Sequence, residues 1–426
     1  MAGLRTAEAA RRAGYAGPIT FLGAEAHAPY NRPPLSKELL QTEGHGHAEV
    51  AFPIRSALEQ GVTWVLGRAA VSLDVERRVV TDDAGVEHPY SAVVIATGLR
   101  PKPLPIEGHG LSGIHVLRTV DDAVGLRDVL RPGANVVILG SGFVGCEIAA
   151  TAAKNGANVS IVTQSNIPLE RALGTHLGAE VRRRHEAHGV RFYCGESLFG
   201  LVGDPSVERV ILTSGVMLEC DALVVAVGSD PNTEWLQGSG LDVDNGVLVN
   251  GAMQALAVEG DVVPGVFAVG DVARYPNPLF DGVARRVEHW NLPTETGKRA
   301  GGVIAAMLGD DATDGAHAAA ATATATAALI AAPFAPLPSF WSDQYDAHLL
   351  AFGMTYLADR SELVAGRVDD ECVVEYFRGD ELVGVCGIGM RSAVQSYRTR
   401  FPAQATPVVP AGPAGPAGPA APAALP

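Results

Sequence analysis

Apolar runs and glycine-rich turns alternate along the chain and divide it into strand–helix–strand units. In the clearest unit, an apolar run at residues 136–139 leads directly into the spaced glycines Gly140, Gly142 and Gly145. An Ala-rich stretch and a second β-branched run, at residues 158–162, complete the unit. This order predicts a βαβ unit whose tight turn brings phosphate groups to the start of a helix, an arrangement that binds dinucleotides.

The chain opens with a shorter copy of the same pattern. The stretch GLRTAEAARRAGYAGPITFLGAE, which begins at Gly3, runs parallel to the stretch from Gly145, and each has a second glycine eleven residues later, Gly14 and Gly156. If Gly3 is the third glycine of a phosphate-binding turn, the first two glycines and the preceding strand lie before Met1. Two explanations remain open: a natural start upstream of Met1, or a protein that has lost a strand and two phosphate-contacting glycines.

Composition favours an enzyme with large apolar cores. A length of 426 residues allows two to four domains, and 47% hydrophobic residues are enough for large cores. The net charge of −15 argues against binding to nucleic acid and to anionic membrane surfaces. No two of the five cysteines have C-x-x-C spacing, so we expect neither a zinc site nor a redox disulfide, but buried thiols in a reducing cytoplasm.

Two low-complexity segments interrupt and end the regular pattern. Residues 309–337 include an Ala/Thr repeat, and three prolines follow within residues 316–341. We expect a flexible linker here and not a membrane-spanning helix. Residues 402–426 repeat the letters PAG, carry no charge and should be disordered.

A carboxylate and a proline-rich basic loop follow the first unit. Glu25 lies 22 residues after Gly3, where a carboxylate can hold the ribose hydroxyls of an adenosine. The loop YNRPPLSK, residues 30–37, is stiffened by its prolines, so Arg32 and Lys37 project at fixed positions. An arginine there suits a pyrophosphate, and a lysine can stabilise negative charge on a bound ring. The alternative is an ordinary solvated basic loop.

Further short motifs end predicted strands or flank the linker. The letters ATG at residues 96–98 allow close packing against a ligand, and VGD at residues 269–271 ends a strand with an aspartate that can accept a hydrogen bond from a sugar hydroxyl. The aromatic–polar clusters EHW at 288–290 and FWSD at 340–343 lie on either side of the linker. Their tryptophans adjoin charged residues, which favours a position at the surface or in a cleft.

Taken in order, these motifs resemble those of the single-chain FAD-dependent ferredoxin reductases, the reductase components of bacterial oxygenase and cytochrome P450 systems. The resemblance covers residues 1–308 and 338–401. It implies an α/β fold class with two Rossmann-like dinucleotide-binding domains and a small α+β C-terminal interface domain at 338–401. The FAD-binding domain would comprise residues 1–111 and 236–308, and the NAD(P)-binding domain residues 112–235.

The resemblance also implies which residues hold the cofactors. Lys37 and Glu147 would form the catalytic pair beside the flavin and the nicotinamide, and no metal is expected. The implied FAD contacts are Gly3, Glu25, Arg32, Lys37, Thr97, Gly98, Arg100, Asp271, Glu288, Trp290 and Trp341. The implied contacts of the nicotinamide cofactor are Gly140, Gly142, Val144, Gly145, Thr163 and Gly228.

One position bears on the choice between NADH and NADPH. Thr163 stands where NADH-preferring members of the family have a glutamate that repels the 2′-phosphate of NADPH. No arginine replaces that glutamate, and Gln164 and Ser165 can hydrogen-bond to either cofactor. We therefore expect a slight preference for NADH.

The expected partner is a ferredoxin or a rubredoxin-type iron–sulfur protein. Ferredoxins are usually acidic, so a reductase with a net charge of −15 needs a local basic patch for docking. The candidates surround the letters EHWN and are Arg285, Arg286, Lys298 and Arg299. We expect a cytoplasmic monomer or weak dimer.

Three other interpretations remain open to different degrees. A disulfide reductase or NADH oxidase needs a cysteine near the flavin in the first module, yet residues 1–145 contain none. A redox-sensing interaction protein like apoptosis-inducing factor would turn over slowly with every ferredoxin. A truncated chain with impaired FAD binding would be colourless when purified.

Overall fold

Helices and strands alternate along most of the chain, as the sequence predicts. A computed structural model describes residues 1–41, 46–55, 58, 60–104, 106–309 and 316–401. The predicted disordered tail, 402–426, lies outside these ranges. The α-helices of the described residues are α1 (Ala2–Arg12), α2 (His47–Val50), α3 (Val120–Arg127), α4 (Phe143–Lys154), α5 (Glu170–Ala187), α6 (Leu292–Leu308), α7 (Ala316–Ala331) and α8 (Arg391–Ser396).

The strands are short and belong to several sheets. The first eleven are β1 (Ile19–Gly23), β2 (Val62–Leu66), β3 (Ala70–Asp74), β4 (Val79–Asp82), β5 (Glu87–Pro89), β6 (Val93–Ile95), β7 (Leu99–Pro101), β8 (Ile114–His115), β9 (Asn135–Leu139), β10 (Asn158–Thr163) and β11 (Arg191–Cys194). The next are β12 (Leu198–Gly203), β13 (Val207–Leu212), β14 (Met217–Glu219), β15 (Ala222–Val225), β16 (Ser229–Pro231), β17 (Val247–Leu248), β18 (Gln254–Leu256), β19 (Val262–Ala268), β20 (Ala273–Pro276) and β21 (Ala284–Arg285). The last are β22 (Ser339–Gln344), β23 (Ala347–Gly353), β24 (Arg360–Gly366), β25 (Cys372–Arg378) and β26 (Glu381–Ile388).

The middle of the chain forms a parallel sheet in the order β11-β10-β9-β15-β8. Strand β9 lies at its centre and pairs with β10 on one side and with β15 on the other. Both faces of β9 are covered, because Val136, Val137 and Ile138 are all buried. A continuous apolar run is what such a strand requires. The sheet therefore holds the glycine turn that follows β9 at its carboxyl edge.

The first part of the chain forms two smaller pieces of sheet. Strand β1 pairs in parallel with β2, and β6 pairs in parallel with β19. Among the described residues no strand lies between β1 and β6, whereas β9 fills the corresponding position in the middle sheet. The side chains of β6 and β1 are correspondingly less buried than those of β15 and β10. Helix α1 packs along α6, and its Leu4 and Ala7 share an apolar cluster with side chains of β1 and β2.

The segment expected to be a flexible linker contains a helix. Helix α7 packs against α6, where the Thr326 hydroxyl donates a hydrogen bond to the Ala306 carbonyl (3.2 Å) and Leu329 and Ile330 contact the core. The reason is that alanine has the highest helix propensity and the prolines all lie beyond Ala331, so they do not interrupt the helix. None of the helices in the described ranges is long and apolar enough to cross a membrane.

The last part of the chain is an antiparallel sheet in the order β22-β23-β26-β25-β24, with α8 packed on it. One face of this sheet joins α4 and α5 in a common apolar core, which includes Cys146, Leu177, Leu349 and Val374. Strand β22 therefore lies directly against α4. This contact brings side chains of the C-terminal sheet to the helix that follows the glycine turn.

Candidate active site

The glycine turn between β9 and α4 has the shape of a phosphate cradle. A Cβ atom on Gly140 would collide with the Ala226 carbonyl oxygen, and one on Gly145 with the Gly140 carbonyl oxygen, so both positions are restricted to glycine. A Cβ on Gly142 would meet no atom within 4 Å. The turn is therefore closed by packing at its two ends and open to a ligand at its middle.

The start of α4 is suited to an anion. Gly142 is its N-cap and supplies no side-chain hydrogen bond, and no acidic residue lies in the first turn. The N–H groups of this turn are thus available, and the helix dipole favours negative charge there. Val144 is exposed on the same turn, and Gly228 follows β15 with φ +105°, at the same edge of the sheet. The four predicted glycines and Val144 are thus brought together.

The hydroxyl of Thr163 is bonded within the protein and is not available to a ligand. Its Oγ1 atom is buried 2.8 Å from the Ser141 hydroxyl and also accepts a hydrogen bond from the Ser165 backbone N–H (3.3 Å). Thr163 therefore ties the end of β10 to the glycine turn. The exposed Gln164, whose amide donates to the Ser197 hydroxyl (2.9 Å), is the polar side chain next to it.

The half-buried Lys37 and the buried Glu147 form an ion pair beside this turn. The Lys37 Nζ atom lies 2.7 Å from Glu147 Oε2. The Ser36 hydroxyl donates to the same oxygen (2.5 Å), and the Ser342 hydroxyl donates to Oε1 (2.6 Å). Lys37 follows the proline-rich loop, while Glu147 lies on α4 two residues after Gly145. The structure thus brings together two residues that are 110 positions apart in the sequence.

Glu25 and Arg32 meet in a second cluster of charges. Arg32 Nη2 lies 2.6 Å from Glu25 Oε1, and the Tyr30 hydroxyl donates to the other carboxylate oxygen. Burial acts to raise the pKa of Glu25, but the charge of Arg32 and the hydrogen bonds from Tyr30 and Arg32 outweigh it, so the pKa lies below its usual value. Glu25 is therefore ionised, and a ribose would compete with Arg32 for its oxygens.

Asp271 and Arg118 lie close together, and their hydrogen-bonding capacity is only partly used within the protein. Burial raises the pKa of Asp271 above its usual value, and Arg118, whose Nη2 lies 3.6 Å from Oδ2, offsets only part of this effect. The Nε atom of Arg118 is buried and has no hydrogen-bond partner among the described residues. Buried polar atoms in folded proteins are normally paired. These two side chains thus fit a ligand that carries hydroxyl or phosphate groups, such as FAD.

Helix α1 partly repeats the features of α4. It also begins without a side-chain cap and without an acidic residue in its first turn, so its N-terminus fits a pyrophosphate. Gly3 differs from Gly145, because a Cβ there would make an ordinary contact of 3.5 Å with Ala96 Cβ. The residues present therefore fit FAD through its charged and hydroxyl groups, and Gly3 is not restricted to glycine by packing.

Three of the predicted FAD contacts are bonded to other residues of the protein. The Thr97 hydroxyl donates to the Asn232 carbonyl (2.8 Å), and Arg100 pairs with Glu234. Glu288 accepts hydrogen bonds from Arg286 (2.5 Å) and Ser229 (3.2 Å). Gly98 has φ +64°, which lets the chain turn after β6. Thr97, Arg100 and Glu288 thus already have protein partners.

The two predicted aromatic clusters meet at the surface. The rings of Trp290 and Trp341 lie edge to face with 5.0 Å between their centroids, and the Trp290 indole donates to the Asn31 amide (3.1 Å). Their exposures of 39% and 37% agree with the cleft or surface position expected from the sequence. Next to them His289 is half-buried, and its desolvation lowers the pKa to about 4.

The four basic residues predicted for docking do not form one free positive patch. Arg285 is paired with Asp281, Arg286 with Glu288 and Lys298 with Glu295. Arg299 donates to backbone carbonyls of Gly251 (2.9 Å) and Ala332 (2.6 Å), and so holds the end of α7. The sequence shows the cations but not the carboxylates and carbonyls that the fold brings to them.

Comparison with known proteins decides the family. The family model of the pyridine nucleotide-disulphide oxidoreductases matches residues 1–297, and the reductase C-terminal model matches residues 339–416. The chain belongs to the pyridine nucleotide-disulphide oxidoreductase family. The resemblance stated from the sequence motifs, and the α/β fold class with a reductase C-terminal domain, are thereby confirmed.

Individual relatives match most of the chain. Rhodocoxin reductase of Rhodococcus erythropolis is 31% identical over 90% of this chain and 83% of its own length. The ferredoxin–NAD(+) reductase component of the anthranilate 1,2-dioxygenase system of Burkholderia cepacia is 34% identical over 85% and 82%. The covalent putidaredoxin reductase–putidaredoxin complex gives a TM-score of 0.82 at 26% identity, covering 96% of this chain and 94% of that chain.

The cysteines of this family member are not arranged for thiol chemistry. Each of the five is a free thiol, and Cys146, Cys220, Cys372 and Cys386 are buried. Burial raises the pKa of these four thiols above the usual value, which keeps them protonated and unreactive. The expectation of buried apolar cysteines is confirmed for these four side chains.

Several residues of the site were not singled out from the sequence. Ser36 and Ser342 hydrogen-bond to Glu147, and Arg118 lies beside Asp271. Ser36 and Ser342 do stand inside the quoted motifs YNRPPLSK and FWSD, but a serine next to more distinctive residues gives no signal of its own. Arg118 lies between motifs and could be found only from the fold.

Proposed function

We propose that this chain passes electrons from NADH through FAD to a ferredoxin or rubredoxin-type one-electron carrier that serves an oxygenase or a cytochrome P450. The observation that carries the proposal is that relatives named for this reaction match more than four fifths of both chains. The Lys37–Glu147 pair beside an open phosphate cradle supports it. FAD and NADH are the cofactors of the reaction.

We assign the cofactors to two parts of the chain. FAD lies in the domain of residues 1–111 and 236–308, and NADH in the domain of residues 112–235, with residues 338–401 as the interface domain. The proposed FAD contacts are Gly3, Glu25, Arg32, Lys37, Thr97, Gly98, Arg100, Asp271, Glu288, Trp290 and Trp341. The proposed NADH contacts are Gly140, Gly142, Val144, Gly145 and Gly228, and Thr163 supports the glycine turn from behind.

When bound, FAD supplies the chemistry that side chains lack, since it accepts a hydride and releases electrons singly. The protein binds and orients. The N–H groups at the start of α4 hold the phosphates of NADH, and the space at Gly142 lets them approach. Lys37 would supply a positive charge that stabilises the reduced flavin, and Glu147 holds its ammonium group in position.

We propose a docking surface different from the four basic residues named above. A groove next to Trp290 is lined by four cations, Arg5, Arg12, Arg55 and Lys298, and two carboxylates, Glu8 and Glu295, which leaves a net charge of +2. An acidic carrier protein complements this charge. Trp290 contacts Trp341, so the groove adjoins both aromatic clusters. We propose a monomer or weak dimer in the cytoplasm, where a reducing environment fits the free thiols.

Electron transfer to an iron–sulfur carrier is the direct test of the function. We expect the purified chain, supplied with FAD and NADH under nitrogen, to reduce a [2Fe–2S] ferredoxin or a rubredoxin catalytically, seen as bleaching of the carrier's visible absorbance. The control omits FAD during preparation. Reduction of the bound FAD by NADH, with every carrier left oxidised, would contradict the proposal.

Charge reversal in the groove tests the docking surface. The double variant Arg12→Glu, Arg55→Glu should raise the KM for the ferredoxin roughly tenfold and weaken its salt dependence, because it removes long-range attraction. NADH oxidation with ferricyanide as acceptor should stay unchanged. The matched control is Arg77→Glu, Arg367→Glu, two exposed arginines outside the groove. Equal KM values for the two double variants would place docking elsewhere.

A further inference from the structure

A chain of buried hydrogen bonds leads from Glu147 into the C-terminal sheet. The Ser342 hydroxyl donates to Glu147 Oε1 (2.6 Å), and the Gln344 amide nitrogen donates to the Ser342 oxygen (3.0 Å). His185 Nε2 lies 2.9 Å from the Gln344 amide oxygen. All four side chains are buried, with exposures of 7% or less. The chain thus links α4, β22 and α5 in a space closed to water.

The chemistry of Glu147 fixes the direction of every bond in this chain. An ionised carboxylate only accepts, so Ser342 donates to it and must itself accept from the Gln344 NH₂ group. The Gln344 oxygen then faces His185, whose Nε2 must carry the proton. Nδ1 is left bare, and it is buried without a hydrogen-bond partner among the described residues. Burial lowers the pKa of His185 to about 4, which agrees with a neutral ring.

The two oxygens of Glu147 are held by different parts of the protein. Oε2 faces Lys37 and Ser36, which belong to the first module, while Oε1 faces Ser342 of the C-terminal sheet. Without the Ser342 hydroxyl, Oε1 would be a buried acceptor with no partner. The carboxylate would then turn to recover a hydrogen bond and would move Oε2 away from Lys37.

We propose that Ser342 is a positioning residue for the Lys37–Glu147 pair, and that Gln344 and His185 keep its hydroxyl in the donating orientation. This inference rests on the proposed function, in which the pair lies where the hydride passes. The C-terminal domain therefore contributes to the half-reaction with NADH. The chain of hydrogen bonds orients the Glu147 carboxylate and does not conduct protons, because the neutral amide of Gln344 lies in its middle.

Kinetics at saturating NADH test the positioning role. With ferricyanide as acceptor, which avoids the docking surface, Ser342→Ala should lower kcat roughly 10- to 100-fold and leave the KM for NADH within about twofold. Ser342→Thr, which keeps the hydroxyl, should restore most of kcat. The matched control is Ser239→Ala, a buried serine whose hydroxyl donates to the Leu236 carbonyl (2.6 Å). A loss no larger than that of Ser239→Ala would overturn the proposal.

A second variant covers the case in which Ser342→Ala does not fold. Gln344→Met has a similar volume and leaves the serine hydroxyl in place without its orienting donor. We expect kcat to fall by less than in Ser342→Ala, again with an unchanged KM for NADH. A Gln344→Met protein with wild-type kcat would show that the orientation of Ser342 does not depend on the chain of hydrogen bonds.

The tautomer of His185 gives a readout that does not depend on turnover. Long-range ¹H–¹⁵N spectra of the FAD-loaded protein, with His185→Asn to identify the signal, should show the proton on Nε2. In Glu147→Gln the new amide can also donate, so the chain can reverse and both tautomers should appear. A wild-type ring protonated on Nδ1 would overturn the inference. If NADH fails to reduce the wild-type protein, the proposed function falls, and the tautomer still decides the hydrogen-bond chain.

Discussion

Lys37→Ala should slow the reduction of bound FAD by NADH roughly 100-fold, because a charge aimed at the ring that becomes negative is lost. The same substitution leaves the Glu147 carboxylate buried with only two serine hydroxyls as partners. Removing one member of a buried ion pair costs about 3–5 kcal/mol. Stopped-flow absorbance at saturating NADH measures the first effect, and thermal unfolding measures the second.

A double variant separates the two effects of this substitution. Lys37→Met combined with Glu147→Gln removes both charges, so most of the free energy of unfolding should return while the rate of flavin reduction stays low. The control Arg77→Ala breaks the exposed Arg77–Glu87 pair (2.9 Å) and should change neither quantity. Flavin reduction at the wild-type rate in Lys37→Ala would remove Lys37 from the mechanism.

Gly142→Ala should raise the dissociation constant for NADH roughly 100-fold without loss of thermal stability. The backbone of Gly142 is extended and a Cβ there meets no protein atom within 4 Å, so the protein itself tolerates the methyl group. That methyl group would occupy the space proposed for the NADH phosphates. The lost contacts and N–H bonds correspond to about 3 kcal/mol. Titration of the protein with NADH and a melting curve measure the two quantities.

Two neighbouring glycines make this prediction specific. Gly145→Ala places its Cβ against the Gly140 carbonyl oxygen, so it should destabilise the fold by about 1–3 kcal/mol as well as weaken NADH binding. Gly125→Ala, on the exposed side of α3 with no atom within 4 Å, should affect neither binding nor folding adversely. Wild-type affinity for NADH in Gly142→Ala would show that the phosphates do not approach this residue.

The features that the sequence predicted well are local ones. The β9–α4–β10 unit follows from an apolar run, three spaced glycines and an Ala-rich helix within 30 residues, and each of these signals acts over a few positions. The Lys37–Glu147 pair came from the family resemblance, since nothing in the spacing of 110 residues indicates contact. The resemblance also gave the fold class.

The features that were missed depend on tertiary contacts. Ser342 is one serine among many until β22 packs on α4 and brings its hydroxyl to a carboxylate 195 residues away. The prediction of a docking patch considered only the basic residues. In the folded protein Arg285 pairs with a carboxylate, and Arg299 donates to backbone carbonyls. The prediction of a flexible linker for the Ala/Thr segment rests on the prolines near it. These prolines lie beyond the end of α7 and do not interrupt the helix.

The packing of β22 on α4 has a consequence for engineering. A chimaera that takes residues 338–401 from another reductase, in order to redirect electrons to a different redox partner, also exchanges the residues at positions 342 and 344. Recipient and donor sequences must therefore match at these two positions. Without that match, a chimaera would take reducing equivalents from NADH more slowly, even when the new partner docks well.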